Sequence, residues 1–266
     1  MRVILSRKGF DSEFGGGPSP ILPDGRMVSL PIPSESDPVR YEQLRLDDGR
    51  SYAGLMAGLG YGGGTCHLDP DLVPGVRDRH PDWRPLFGQV EAAQGHLRNQ
   101  GVGPGDLFLF FGYFRRTLAG GGWDRTDPGR HVIFGYLEVE SVLPVGPETE
   151  LPPWMADHPH ALSVRRARRN NVIYVGRRTA SWNPALPGAG PLRFDEGLVL
   201  TAPSQTRSRW RLPDCLRTVS ITYHTAASWK EGYFQSAAKA QEFVIDPSPA
   251  VSDWARSLVE TGASSR

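Results

Sequence analysis

Two long segments rich in aromatic and β-branched residues constrain the fold more than any other feature of this sequence. Residues 106–114 read DLFLFFGYF, and residues 131–145 read HVIFGYLEVESVLPV. Such residues pack well on the pleated surface of a sheet, so each segment predicts a long strand. The loop between them, at 118–130, carries three consecutive glycines followed by Trp123. The centre of the protein is therefore expected to be a β-sheet.

Shorter apolar segments predict further strands, and the spacing of apolar residues predicts two helices. Leu86, Val90, Ala93 and Leu97 recur with the spacing of one helix face, which predicts a helix over 84–99. Ser248 and Pro249 open a second predicted helix over about 249–260, followed by a loose tail. The other expected strands lie at 2–6, 27–32, 172–175, 198–201, 218–223 and 243–245, the last of them at a sheet edge.

The order of these elements favours an α+β fold. The 31 glycines and 24 prolines among 266 residues indicate many turns and short elements. Strands outnumber helices and do not alternate strictly with them, which predicts a strand-rich mixed sheet or a partly open β-barrel with a few flanking helices. No change in composition divides the chain, so residues 1–266 are predicted to form one domain.

Net charge and cysteine content limit the binding partners and the cellular compartment that the sequence predicts. The formal net charge is +1, so no overall field attracts nucleic acid or a membrane, and any anion site must be local. Cys66 and Cys215 do not make a disulfide framework, which favours a reduced, cytoplasmic protein. The apolar run after Met1 is too short for a signal peptide, and no apolar stretch is long enough to span a membrane.

The first candidate site follows the first predicted strand. Ser6, Arg7, Lys8, Asp11 and Ser12 bring cations, hydroxyls and a carboxylate into one short segment. The glycines at 15–17 could present backbone N–H groups to an anion. Arg7 and Lys8 would supply positive charge and Asp11 a base; a solvated turn is the alternative.

Histidines and carboxylates form two further candidate clusters. His67, Asp69 and Asp71 are spaced by two residues, which places them on one face of an extended segment. Imidazole and carboxylate groups suit a divalent metal or general acid–base chemistry, whereas a capped turn explains the same residues structurally. His158 and His160 have the same spacing and suit either a metal or an ordinary surface loop. The sequence assigns no cofactor, although these five residues suit a divalent metal.

Two arginine-rich segments are candidates for phosphate contact. Arg207, Arg209 and Arg211 alternate with other residues, Trp210 among them, a pattern that suits phosphate contact with base stacking. On a strand the three arginines would share one face and Trp210 would enter the core. The arginine run at 165–169 is expected to be a solvated loop, with nucleic-acid contact as its alternative.

Several segments resemble one known family in order along nearly the whole chain. They are VILSRKGFDSEFGGGPSPILPDG near the start, HLDPDL at 67–72, FGQ at 87–89, HL at 96–97, GDLFLFFGYFR at 105–115, HVIFGYLEV at 131–139, DHPH at 157–160, NVIY at 171–174, SRWRLP at 208–213 and QEFVID at 241–246. The chain resembles the nucleotide modification associated domain 3 family. That resemblance implies an association with systems that modify or restrict nucleic-acid bases and a nucleic-acid or nucleotide partner, without a settled reaction. Polar residues in the shared segments, His96, Arg115 and His131 among them, become candidates by this resemblance.

A looser likeness concerns residues 103–145 alone. Their pattern is similar to the paired strands of PUA, ASCH and EVE barrels, which bind nucleic acid and in some cases hold a modified base in an aromatic cage. The likeness implies a PUA-like core in the partly open barrel. Tyr113, Phe114, Trp123 and Tyr136 are the candidate cage residues.

Three functions remain open from the sequence. The first is an enzyme acting on a modified nucleobase, nucleotide or nucleic acid, and the second is a non-catalytic reader that binds a modified base. The third is an interaction or scaffold subunit, which would require a large exposed apolar patch that no sequence pattern here demands. The candidate catalytic residues are Lys8, Asp11, His67 and Asp69. The candidate substrate and phosphate contacts are Ser6, Arg7, Ser12, Arg115, Trp123, His131, His158, His160, Arg207 and Arg209. The candidate metal ligands are His67, Asp69, Asp71, His158 and His160. The sequence does not assign an oligomeric state.

Overall fold

Strands form most of the regular structure in the computed structural model, which describes residues 1–237 and 241–264. The strands are β1 (Val3–Arg7), β2 (Ser19–Ile21), β3 (Ile32–Pro33), β4 (Cys66–His67), β5 (Leu86–Gln89), β6 (Leu107–Arg116), β7 (Arg130–Pro144), β8 (Val172–Gly176), β9 (Thr179–Ala180), β10 (Asn183–Pro187), β11 (Ala189–Pro191), β12 (Arg209–Trp210), β13 (Trp229–Lys230), β14 (Tyr233–Gln235) and β15 (Glu242–Ile245). The α-helices are α1 (Tyr52–Gly58), α2 (Glu91–Asn99), α3 (Ser163–Arg166) and α4 (Pro249–Ser264).

Eight of these strands form one mixed sheet. A path of six strands runs in the order β15-β1-β6-β7-β8-β5, while β2 pairs with β6 and β11 pairs with β7. β1 and β2 run parallel to β6, and the other neighbours are antiparallel. The two aromatic segments form β6 and β7 at the middle of the path, as predicted. The α+β fold with a strand-rich mixed sheet is confirmed, and the described strands do not close into a barrel.

Side chains alternate along β6 and bury both faces of the sheet. On one face Phe108 packs against Phe87 of β5, with ring centroids 5.0 Å apart. On the other face Phe111 packs against Trp210 at the same centroid distance. β5 lies three steps from β6 along the strand path, so the contact between Phe87 and Phe108 requires the sheet to curl. This curl brings the two ends of the path towards each other.

A smaller core lies beside the curled sheet and is built from residues 10–76. Phe10, Leu44, Tyr52 and Met56 are buried there around α1. Cys66 is fully buried in the same cluster, which anchors the short pair of β3 and β4. Because His67 follows Cys66 on β4, its side chain emerges where this small core meets the sheet.

The predicted helix over 84–99 is wrong in its first half. Residues 86–89 form β5, which pairs with β8 from Leu86 opposite Val175 to Gln89 opposite Val172. The helix α2 begins only at Glu91, whose φ of 56° separates it from the strand. The apolar pattern could not separate the two because pairing with a strand distant in sequence, together with burial of Phe87, decides the conformation of residues 86–89.

Some of the other elements predicted from the sequence match the structure and some do not. The C-terminal helix continues to Ser264, so residues 261–264 are helical rather than a loose tail, and residues 265–266 lie outside the described part of the chain. The segment 172–175 forms β8. Three other predicted strands are mostly absent as strands. The segment 27–32 contributes one isolated bridge and the first residue of β3. The segments 198–201 and 218–223 contribute isolated bridges only. No described helix combines the length and the apolar character needed to cross a membrane.

Candidate metal centre

A cavity of about 510 Å³ opens where the ends of the curled sheet approach each other. His67, Asp69 and His160 lie on one side of it, and Lys8 and Gln89 on another. Its rim includes the turn at 11–14, which carries Asp11, Glu13 and Phe14. The cavity therefore gathers residues from all three of the polar clusters at 6–12, 67–71 and 158–160 that were expected from the sequence.

Three potential metal ligands converge at the wall of this cavity. One ligand atom from each of His67, Asp69 and His160 lies within 4.8 Å of the other two. The Nε2 atoms of both histidines are 3.8 Å from Oδ2 of Asp69. Two imidazole nitrogens and one carboxylate oxygen form a ligand set typical of transition-metal sites in proteins. We call these three residues the triad.

Backbone geometry places the carboxylate and the second histidine of the triad. Oδ1 of Asp69 accepts a 2.8 Å hydrogen bond from the backbone N–H of Gly88, which leaves Oδ2 facing the histidines. The His160 ring lies directly against Gly88, where an added Cβ atom would be 2.1 Å from the ring. The glycine therefore permits the close approach of His160 to β5.

Hydrogen bonds fix the tautomer of each triad histidine. Oδ2 of Asp37 lies 3.2 Å from Nδ1 of His67, and a carboxylate oxygen can only accept, so this Nδ1 carries the proton. Asn171 donates its amide hydrogens to Val145 and His160 carbonyls, so its Oδ1 accepts from Nδ1 of His160 at 2.8 Å. In both rings the Nε2 lone pair is left to face Asp69 and the cavity. Such outer hydrogen bonds are a recurrent feature of metal-binding histidines.

Arg165 holds the carboxylate behind His67. Its Nη1 and Nη2 atoms each bind one oxygen of Asp37 at 2.6 Å. Burial alone would raise the pKa of Asp37, but hydrogen bonds from His67, Arg165 and Ser34 outweigh burial and hold the pKa well below its usual range. The expectation of a solvated loop at 165–169 is therefore wrong for Arg165, because a buried carboxylate distant in sequence binds its guanidinium.

His158 lies beside the triad and contacts the opposite oxygen of Asp69. Its Nδ1 accepts the backbone N–H of His160 at 3.2 Å, so its Nε2 carries the proton. This buried Nε2 is 3.3 Å from Oδ1 of Asp69 and has no aligned hydrogen-bond partner among the described residues. A protonated Nε2 has no lone pair for a metal, so in this tautomer His158 lies against the carboxylate of Asp69 without adding a fourth ligand.

The protonation states of the triad suit metal binding. Burial by itself would raise the pKa of Asp69, but the contact with His158 and the nearby imidazoles hold the pKa below its usual range. Burial lowers the pKa of His160 to about 3, although the charge of Asp69 opposes this effect. An anionic carboxylate and a neutral imidazole are the forms that bind metal ions.

A buried polar group forms the second wall of the cavity. Nζ of Lys8 and Nε2 of Gln89 both donate to Oε1 of Glu242, at 2.8 and 2.7 Å. Nζ of Lys8 also lies 4.6 Å from the ring centroid of Phe87. The second oxygen of Glu242 and the hydroxyl of Ser6 are buried without a hydrogen-bond partner among the described residues. Lys8 and Gln89 reach the cavity, while Ser6 and Glu242 lie behind them.

Several candidates from the sequence lie close to the triad but have other contacts. Asp71 pairs with Leu86 through its backbone, and both of its carboxylate oxygens bind the guanidinium of Arg79. Oδ1 of Asp11 accepts the backbone N–H groups of Glu13 and Phe14, so it caps the turn at the cavity rim.

Other candidates lie away from the triad. Nε of Arg115 donates to the carbonyl of Asp124 at 2.9 Å. The indole N–H of Trp123 donates to the carbonyl of Leu59, and the Trp123 ring packs edge-on against Tyr61. His96 binds the hydroxyl of Thr222. Among the proposed cage residues, Phe114 and Tyr136 are fully buried in the core.

His131 lies on the opposite face of the sheet from Phe108. Its Nδ1 accepts the indole N–H of Trp210 at 3.1 Å. Burial, together with the positive charges of Arg7 and Arg207, lowers its pKa to about 3. Trp210 is buried as expected from the alternation of residues 207–211, while Arg207 stacks on Tyr113 and binds Ser12.

The sequence reasoning missed the residues that support the triad and the second wall. Asp37 stands in a polar segment without a recognisable motif. Asn171, Gly88, Gln89 and Glu242 stand in the segments NVIY, FGQ and QEFVID, which the family resemblance had already singled out. The signal was therefore present for these four residues, but their sequence positions did not show which residues they meet.

The comparisons with known proteins agree with the segments that carry the resemblance. Residues 2–246 match the family described as nucleotide modification associated domain 3. No curated protein and no solved structure matches the chain. The match covers almost all of the 266 residues, the triad and the second wall of the cavity included. The chain therefore belongs to the nucleotide modification associated domain 3 family.

Proposed function

We propose that this protein is a metal-dependent enzyme acting on a nucleobase or nucleotide bound in the cavity. One observation carries the proposal: the Nε2 lone pairs of His67 and His160 and one oxygen of Asp69 converge at the cavity wall. The hydrogen bonds of Asp37, Asn171 and Gly88 already hold these ligands in the required tautomers and orientations.

The number of ligands favours a catalytic over a structural metal. Structural zinc sites are usually closed by four protein ligands, whereas catalytic sites keep positions open for water or substrate. The triad supplies three ligands at the edge of a cavity, and the proton on His158 Nε2 prevents that nitrogen from acting as a fourth. A divalent ion bound there would supply Lewis acidity and lower the pKa of a bound water.

The cavity itself suits a small polar substrate. Its volume of about 510 Å³ lies within the range of sites for small molecules. Lys8 has three N–H donors and uses one on Glu242, so further donors can reach a substrate oxygen or nitrogen. Family membership supplies the nucleotide context, and the cavity chemistry supports a nucleobase or nucleotide as the occupant.

The test is a search for a product that depends on both the metal and the triad. Purified protein is incubated with Mn²⁺, Fe²⁺ or Zn²⁺ and with nucleotides and oligonucleotides carrying normal or modified bases. Products are identified by nucleoside mass spectrometry. We expect a product with the wild type and with His80→Ala, whose histidine is exposed and outside the triad, but not with His160→Ala.

The opposite outcome would favour the second function. A protein that binds modified oligonucleotides selectively but yields no product with any of the three metals would be a reader. Equal product from His160→Ala and from the wild type would show that the triad does not carry the reaction.

A further inference from the structure

A row of three arginines lies outside the metal site and has no acidic partner in the part of the chain that the structure describes. Trp210 of β12 is buried, so the flanking Arg209 and Arg211 point away from the core. Within the described residues, none of Arg207, Arg209 and Arg211 forms an ion pair with a carboxylate; Arg207 binds the hydroxyl of Ser12, and Arg209 binds Gln205. These three residues, which we call the arginine row, carry positive charge that the protein does not neutralise locally.

Aromatic rings support two members of the arginine row. The guanidinium carbon of Arg207 lies 3.9 Å from the ring centroid of Tyr113, and that of Arg209 lies 4.8 Å from the ring centroid of Tyr233. A ring on one side of a guanidinium limits its orientations while leaving N–H groups for a phosphate. The stacked arginines therefore suit an extended, phosphate-bearing ligand.

The arginine row begins at the rim of the cavity. Nη2 of Arg207 donates a 2.9 Å hydrogen bond to Ser12, which stands between the rim residues Asp11 and Glu13. Phe14, in the same turn, is 45% exposed and also lines the cavity. An exposed aromatic ring is a stacking platform for a base of any sequence.

We propose that the arginine row binds the phosphates of a single-stranded nucleic acid, one base of which enters the cavity while a neighbouring base stacks on Phe14. This inference rests on the proposed function for the identity of the occupant of the cavity, but different residues carry it. A single strand fits better than a duplex, because a base can enter a cavity only when it is unstacked and unpaired. The substrate class is therefore a nucleic-acid strand rather than a free nucleotide.

The test is the salt dependence of oligonucleotide binding, measured by fluorescence anisotropy between about 50 and 200 mM salt. Each phosphate contact on a single strand contributes a slope of about −0.7 to the logarithm of the binding constant against that of the salt concentration. We expect a slope near −2 for three contacts in the wild type. The triple variant Arg207→Gln, Arg209→Gln, Arg211→Gln should bind at least about tenfold more weakly at low salt and show a flatter slope.

Matched controls separate this inference from the proposed function. Arg178→Gln removes an exposed arginine outside the row and should bind like the wild type. Glu13→Gln removes an exposed negative charge at the rim and should strengthen binding. Calorimetric titration with Zn²⁺ should give the same affinity for the triple variant as for the wild type, since the arginine row does not touch the triad.

Three results would overturn the inference while leaving the metal site intact. The first is an unchanged slope in the triple variant. The second is binding of a duplex or of heparin as tight as that of the single strand, and the third is equal binding of a mononucleotide. A wild-type protein that does not bind Zn²⁺ would instead count against the proposed function.

Discussion

Gln89 donates a 2.7 Å hydrogen bond to Glu242, and this contact joins the two ends of the central sheet path. β5 and β15 do not pair through their backbones, so side chains alone span the gap between them. Lys8 of the adjacent segment binds the same carboxylate oxygen at 2.8 Å. The cavity lies beside this junction, so its shape depends on three polar side chains that the curled sheet brings together.

Removing the carboxylate from this junction should destabilise the fold. Glu242→Ala leaves the ammonium of Lys8, which is only 10% exposed, without its partner. Breaking a buried ion pair from one side typically costs about 3–5 kcal/mol in the free energy of unfolding. Urea denaturation measures this loss. The double variant Lys8→Met, Glu242→Leu should recover much of it, because no unpaired charge remains; a double variant less stable than Glu242→Ala would contradict this account.

The triad should bind one divalent ion per chain. Calorimetric titration of the wild type with Zn²⁺ is expected to give a single site, and His67→Ala or His160→Ala should weaken binding by at least about tenfold because each removes one of three ligands. His80→Ala is the control and should bind like the wild type. Equal affinities in all four proteins would exclude the triad as the metal site.

A single methyl group at residue 88 should displace His160. The Cβ atom of Gly88→Ala would lie 2.1 Å from the His160 ring, so the ring must move away from Asp69. We expect the Zn²⁺ affinity to fall by about 10–100-fold, as when the support of a metal ligand is lost. Gly95→Ala, on α2, has 3.5 Å to the nearest atom and should leave the affinity unchanged while raising stability by up to about 1 kcal/mol. Normal affinity in Gly88→Ala would show that His160 is not required at its observed position.

The carboxylate behind His67 should tune metal binding without touching the metal. Asp37→Asn weakens the acceptor that fixes the His67 tautomer and leaves Arg165 with a neutral partner. Loss of such an outer hydrogen bond typically costs about 10–100-fold in metal affinity. Asp48→Asn provides the comparison, since Asp48 is likewise held by arginine, in its case by Arg26 and Arg50, but lies outside the cavity. A purely structural role would lower the melting temperature of Asp37→Asn while the metal affinity stayed at the wild-type value.

His131 should make the protein less stable in mild acid. Its pKa is lowered from 6.5 to about 3 by burial and by Arg7 and Arg207. Below pH 6.5 the unfolded chain therefore binds a proton at this residue that the folded protein binds only near pH 3. The stability contributed at neutral pH is consequently lost as the pH falls, by about 2 kcal/mol at about pH 5.

The variant His131→Gln tests this pH dependence. Its amide oxygen can still accept the indole N–H of Trp210, which donates to His131 at 3.1 Å, but the side chain does not titrate. Urea denaturation gives the free energy of unfolding at neutral pH and at about pH 5. The decrease between these two pH values should be about 2 kcal/mol smaller in His131→Gln than in the wild type. The same loss in both proteins would mean that His131 is not the group responsible.

Much of the central sheet could be predicted from the sequence because its signals are local. The aromatic segments at 106–114 and 131–145 became β6 and β7, since continuous apolar residues of this kind have few alternatives to a buried strand. The spacing of His67 and Asp69 also placed two triad members near each other. That residues 1–266 form one domain stays a prediction, as do the site roles of Arg115, Trp123 and His131.

The rest was decided by packing between segments distant in sequence. The same spacing rule placed Asp71 beside Asp69, yet backbone pairing with Leu86 directs Asp71 to Arg79 instead. The apolar pattern of residues 86–89 is compatible with a helix, but these residues form a strand because they pair with β8.

A strand-rich core and a supply of histidines, carboxylates and arginines follow from the amino-acid sequence. Which of these polar residues meet depends on the packing of distant segments: His160 joins His67 and Asp69, and Gln89 joins Lys8 and Glu242. The physical reason is that hydrophobic periodicity depends on neighbours within one element, whereas a site depends on where separate elements pack. The curl of the sheet fixes that packing and places both polar groups at one cavity.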